Sequence, residues 1–144
     1  MYKPGESGEI IATFKIGEKD MGTEDKAIFI ESDDPQQSDT TLKMRVVIPA
    51  IMEISPKAIY WDLKELRAKS IHVAIAHEFP LQELHAISAD PHVIAEVKTV
   101  NIGSEYRVIV TPKGLASPYS ANLAIRAKGK DGLVKTVDVY LRFQ

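Results

Sequence analysis

The sequence has no cysteine, which excludes disulfides, thiol nucleophiles and thiolate metal sites. It has few aromatics, 7% of residues with a single tryptophan. It also lacks a long hydrophobic run. No stretch approaches the roughly 18 apolar residues that a membrane helix needs, so membrane insertion is not expected. The first residues are polar, so no signal peptide is expected at Met1. Charge of one sign is missing too. The formal net charge is −2, which gives no global field to attract nucleic acid or an anionic membrane. Residues 1–49 carry six Lys/Arg against ten Asp/Glu, while residues 50–144 carry twelve against ten. That asymmetry is too small to name a partner. The eight glycines are scattered through turns and form no phosphate-binding loop.

What is present is a period of two. Val137, Val139, Leu141 and Phe143 alternate with Asp138, Tyr140 and Arg142, the pattern of a half-buried strand. Leu123, Ile125 and Ala127 alternate in the same way with Asn122, Ala124 and Arg126. "KGKDG" between them predicts a hairpin turn, with Gly129 and Gly132 at positive φ and Asp131 favouring the turn. Further strands are predicted at 9–16, 26–31, 42–48, 58–63, 70–77, 84–88, 94–100 and 106–111. Another starts at Ile51–Ile54. The intervening stretches "GEKDMG", "SDDPQQS", "ADPH", "NIGSE" and "PKGLASP" are turn-forming. "WDLKELRA" at 61–68 has a helical composition but no cap, and it follows two strong strand formers, so it reads as a strand end and a loop. Pro49 marks a boundary. Residues 50–144 supply enough short strands for a complete sandwich. Residues 1–49 supply about three, too few to close one alone.

A family resemblance accounts for this division. Pro4-Gly5, Gly8, Ile10 with Phe14, Gly22, the strand Lys26–Ile30, Ser32-Asp33-Asp34-Pro35 and the strand Leu42–Ile48 form an ordered series of turns and strands. The series resembles the second half of a bacterial immunoglobulin-like family of unknown function. That family is similar to hydin and abnormal-spindle domains and more distantly to major sperm protein. Residues 50–144 look like a divergent second copy, with "ISPKAIYWDLKELRA" near the start and Asp62 where the family usually has Gly. The resemblance implies an all-β fold: a complete immunoglobulin-like β-sandwich at 50–144, preceded by the C-terminal half of another at 1–49. It implies structural residues rather than catalytic ones. Ile10, Ala12, Phe14, Ile28 and Ile30 are expected to face a core. It also implies a periplasmic or extracellular, envelope-associated setting. The first half of the family pattern has no counterpart before Met1. Residues 1–49 are therefore expected to be completed by strands preceding Met1 in the natural protein, or to pack on the rest of the chain or on a second molecule.

Candidate chemistry is sparse. His72 and His77 are an odd number of residues apart and so face opposite sides of one strand, which does not suit chelation of a single ion. Asp33 and Asp34 ahead of Pro35 read as turn formers rather than as a calcium loop, which needs six or more converging oxygens. No G-x-S-x-G elbow or paired-carboxylate signature is present. No metal or cofactor is expected. Trp61 reads first as a core residue. As a surface residue it would join Tyr140 and Arg142, on the outward side of the last strand, in an interaction surface. The sequence thus predicts a non-catalytic structural or protein-interaction module. Its partner would be a protein, or a second copy, engaged through the unpaired strands of 1–49. The alternatives are a carbohydrate-binding module, which needs exposed aromatics on one plane, and a hydrolase or hydrolase accessory domain, which needs His77 or His85 beside a carboxylate or Ser.

Overall fold

The computed structural model describes Lys3 and residues 5–144. The turn assigned to Pro4 and the aromatic Tyr2 lie outside these residues. The described chain is all-β and forms two compact units, divided between Ile48 and Pro49.

In the first unit, β1 (Gly22–Glu31) and β2 (Asp39–Ile48) pair antiparallel over their full lengths, from Gly22 opposite Ile48 to Glu31 opposite Asp39. The "SDDPQQS" link between them is held by its own side chains. Ser32 Oγ accepts from the Asp34 amide and donates to the Gln37 carbonyl, and Asp34 Oδ1 accepts from the Gln36 amide, as Ser and Asp do in turns. The third strand expected here, at 9–16, is not formed. Residues 6–17 run without a turn, a bend or a ladder partner. Their sequence is strand-forming, but a strand also needs a neighbour to bond to.

The second unit is a β-sandwich of two four-stranded sheets. It contains β3 (Met52–Ser55), β4 (Ala58–Trp61), β5 (Lys69–Ile75), β6 (Leu81–Ser88), β7 (Val93–Asn101), β8 (Glu105–Pro112), β9 (Tyr119–Gly129) and β10 (Val134–Phe143). One sheet has the order β3-β5-β8-β7 and the other β4-β10-β9-β6. The first order matches A-B-E-D and the run β10-β9-β6 matches G-F-C of immunoglobulin-type sandwiches, with β4 as an additional strand beside β10. The chain changes sheets between β3 and β4, across a cis Ser55–Pro56 peptide. β3 then pairs antiparallel with β5, and β4 pairs parallel with β10.

Period-two patterning fills the core. Ile71 and Val73 on β5, Val108 and Val110 on β8, Leu123 and Ile125 on β9, and Val139 and Leu141 on β10 are fully buried. Each such side chain stabilises by about 1.5–3 kcal/mol. After Trp61 the chain turns through Asp62, whose Oδ1 accepts from the Lys64 amide, and no helix forms over 61–68.

The β9–β10 turn differs from expectation in one respect. Gly132 has φ +84°, but Gly129 does not have a positive φ. Gly129 is required for space instead: a Cβ there would lie 2.9 Å from the Phe79 ring, closer than packed atoms approach.

Candidate functional site

Trp61, Tyr140 and Arg142 do not form one surface. Trp61 is 1% exposed and lies in the core. Its position on β4 is opposite Phe143 of β10, and Phe143 is in turn opposite Tyr119 of β9. The three inward rings form one stack, with centroids 4.9 Å apart for Trp61–Phe143 and 4.7 Å for Tyr119–Phe143. The indole N–H donates to the Arg67 carbonyl at 2.8 Å, and the Lys69 ammonium lies 5.6 Å from the Trp61 ring centroid. With its faces and its donor engaged, Trp61 has nothing to offer a partner. The expectation that it contributes to an interaction surface is therefore corrected.

Tyr140 and Arg142 do point outward from β10. The Tyr140 hydroxyl lies 2.7 Å from Ser120 Oγ on β9. Hydrogen bonding from Ser120, with a further contribution from Arg142, holds its pKa below the ordinary tyrosine value. The aromatic that accompanies them is Tyr60, 52% exposed on β4 and directly opposite Arg142. Sequence reasoning passed over Tyr60, although a signal was present. Neighbouring strand residues face opposite ways, so a buried Trp61 requires an exposed Tyr60.

The histidines are dispersed. His72 Nε2 is 2.8 Å from Glu105 Oε1 on the outer face of the other sheet. This contact, followed by the Asn101 amide, lowers the Glu105 pKa. His85 Nε2 is 3.4 Å from Glu83, and His92 Nδ1 is 3.0 Å from the Lys113 carbonyl. Among the described residues, no three His, Asp or Glu side chains are grouped as a metal site, and no helix is long and apolar enough to cross a membrane. One open groove of about 300 Å³ is lined by Pro49, Ile51, Phe79, Pro80, Asp131 and Leu133, among others. It holds no histidine and no hydroxyl nucleophile.

The other outlying feature is the β1–β2 ribbon. From its register, one face carries Glu24, Lys26, Ile28, Ile30, Thr40, Leu42, Met44, Val46 and Ile48. The opposite face carries Thr23, Asp25, Ala27, Phe29, Glu31, Asp39, Thr41, Lys43, Arg45 and Val47. The first face is apolar and is incompletely covered: Leu42 is 47% exposed. Phe14 is half-buried against it, 5.9 Å from the Lys26 ammonium. Lys26 also pairs with Glu24 at 2.5 Å, which raises its pKa.

On the polar face, Asp25 and Arg45 are directly opposite and form a two-point pair at 2.7 and 3.1 Å. The guanidinium lowers the Asp25 pKa. Phe29, 78% exposed, and Val47, 70% exposed, also lie on this face. Alongside the ribbon, Ile10 is 64% and Ile11 83% exposed. These apolar side chains lie on the same unit as backbone groups of 7–16 that have no ladder partner among the described residues, and unpaired strand edges are templates for pairing.

No protein-family model matches the chain, and no curated protein matches it. Among solved structures, the crystal structure of the S-layer protein rSbsC(31-844) is similar over 92% of this chain, at 15% identity and a TM-score of 0.49. This chain spans only 21% of the length of that protein.

Proposed function

We propose that the chain is a non-catalytic structural and protein-interaction module. Its second unit is a finished sandwich, and its first is half of a related one that binds by accepting a strand. The observation that carries this is the pairing of an open, amphipathic ribbon with a strand-forming segment that has no ladder.

The two units supply the comparison. Residues 9–16, 22–31 and 39–48 run in the order of β8, β9 and β10: an apolar extended stretch, a turn, then a hairpin. In the second unit β8 lies between β5 and β7. The described residues of the first unit contain no counterpart of β5 or β7. Residues 9–16 thus have the sequence of a central strand and the surroundings of an edge. Such a segment binds by β-augmentation, in which main-chain hydrogen bonds supply affinity and alternating side chains supply specificity.

The motif resemblance supports an immunoglobulin-like family and an envelope setting. Fractionation of cells producing the natural protein tests the location.

Sedimentation velocity on residues 1–144 and on 49–144 tests the module reading. The second unit contains its own core and can be studied alone. The whole chain is expected to associate, with itself or with added partner strands, while 49–144 stays monomeric. If the whole chain is a compact monomer in which the amides of 9–16 are strongly protected from exchange, the segment already has its partner and the proposal fails.

A carbohydrate-binding reading has one observation in its favour, the exposed Tyr60 and Tyr140 on neighbouring strands of one face. A glycan array repeated with Tyr60→Ala would decide it. Hits lost in the variant would support that reading, and an array with no hits would remove it.

A further inference from the structure

The segment Glu9–Ile16, "EIIATFKI", is complementary to itself when turned antiparallel. With Ala12 opposite Ala12 of a second copy, Glu9 falls opposite Lys15, Ile10 opposite Phe14, and Ile11 opposite Thr13. The register is two-fold symmetric, so every pair except the central Ala12–Ala12 occurs twice.

Three observations support its use. First, the chain over 6–17 is free of turns and bends, and among the described residues no backbone hydrogen bond is made within 7–16. Its donors and acceptors are open to a ladder. Second, the side chains are available: Glu9, Ile10, Ile11 and Lys15 are all exposed. Third, the register keeps the faces in order. Directly opposed residues share a face in an antiparallel pair. Ile10, Ala12 and Phe14 of both copies therefore form one apolar side, and the Glu9–Lys15 pairs lie on the other with Ile11 and Thr13. A one-residue slip would place Glu9 opposite Phe14 and Ile10 opposite Thr13, losing both charge pairs and mixing the faces.

We propose that the partner of this strand is a second copy of the chain. Residues 9–16 of two molecules pair antiparallel about Ala12, and this closes a shared sheet over the two β1–β2 ribbons. This rests on the module reading above and names its occupant. It is an isologous contact, in which the same patch serves both subunits.

The test uses full-length chains. Glu9→Lys sets two lysines against each other at both ends of the paired segment, and Lys15→Glu sets two glutamates. Each variant alone should dimerise about tenfold more weakly than the parent. An equimolar mixture of the two restores both opposite-charge pairs and should recover the dimer. An unchanged unfolding transition of the second unit, which has its own core, would show that neither variant is misfolded.

Because the chain has no cysteine, Ala12→Cys provides a second readout. Mild oxidation should join the two introduced thiols across the dimer axis, since directly opposed Cβ atoms lie near disulfide distance. Ile11→Cys, whose opposite residue is Thr13, should link much less.

A dimer insensitive to both charge variants, with no preference for position 12, overturns this register and leaves the module reading standing. A chain that remains monomeric up to about millimolar concentration, a weak affinity limit of roughly 4 kcal/mol, overturns self-pairing. If such a monomer still binds strands of another protein, the module reading survives without it.

Discussion

Replacing Phe143 with alanine should nearly unfold the second unit, and the size of the effect can be worked from the ring stack. Phe143 is 1% exposed and is the middle ring, with Trp61 on one side and Tyr119 on the other. A buried Phe→Ala change costs about 3–5 kcal/mol, the higher values where the site cannot collapse. Collapse is difficult here, because both neighbouring rings belong to strands locked in register with β10. The cost should therefore fall near 4–5 kcal/mol, against a total of about 5–15 kcal/mol for a domain.

Phe143→Leu separates the contributions. It keeps most of the volume, which costs less than about 1.5 kcal/mol, but loses two ring contacts of about 0.5–1.5 kcal/mol each. It should cost roughly 2–3 kcal/mol in all. The assay is urea unfolding followed by fluorescence of Trp61, the only tryptophan and itself one of the stacked rings. With a slope of about 1–3 kcal/mol per molar, the alanine variant should lose about 1.3–5 M in midpoint and the leucine variant about half that. Loss of less than about 1 kcal/mol in the alanine variant would refute the stack as a stabilising unit. Native Trp61 emission that acrylamide quenches freely would refute its burial.

The remaining expectations concern single groups. Burial, and then Asp90, pushes the Tyr119 hydroxyl up to about 12, so in absorbance titration it should ionise well above the ordinary tyrosine value. Its proton is bound more tightly in the folded state than in the unfolded. Its contribution to stability should therefore be complete below about pH 10 and be lost as pH rises from there toward 12; Asp90→Asn should lower this pKa. Asp25 should titrate below the ordinary aspartate range by NMR and return toward it in Arg45→Ala, yet the variant's melting temperature should hardly change, because both partners are solvent-exposed. Gly132→Ala should cost about 1–2 kcal/mol by thermal melting, since φ +84° at that turn is unfavourable for any residue with a Cβ.

Most of the second unit was legible because alternation reports burial directly. Val139, Leu141 and Phe143 read as inward, and they are inward. The sheet order was not legible from pattern alone, because β3 and β4 are consecutive in sequence yet belong to opposite sheets. Gly129 shows a similar limit. Composition announces a turn glycine, but the neighbour that requires it, Phe79, lies in a distant part of the sequence. Tyr60 was recoverable, since its orientation follows from that of Trp61.

The one strand read from sequence and absent from the fold is 9–16, and the failure has a physical cause. Propensity describes how well side chains fit a pleated surface, whereas a strand exists only when its amides find a partner. "EIIATFKI" meets the first condition in full. Among the described residues of its own unit it has a two-stranded ribbon to lie on and no strand to bond to along its edges.

The same deficit bears on the stability of the first unit. A two-stranded ribbon is marginal in water, and a unit of 48 residues buries a small share of its surface. The ribbon shows this directly: Phe29, Val47 and Leu42 remain largely exposed, and its two-point Asp25–Arg45 pair lies in solvent, where such pairs add little. Where the unit binds a strand as proposed, its folding and association are one equilibrium rather than two. Whatever strand adds to 9–16 stabilises the unit in proportion to the logarithm of its concentration over its dissociation constant. The second unit, with its closed core, does not depend on that partner. On the reading proposed above, the chain joins a self-sufficient sandwich to a unit whose order depends on a partner, which suits a module that assembles.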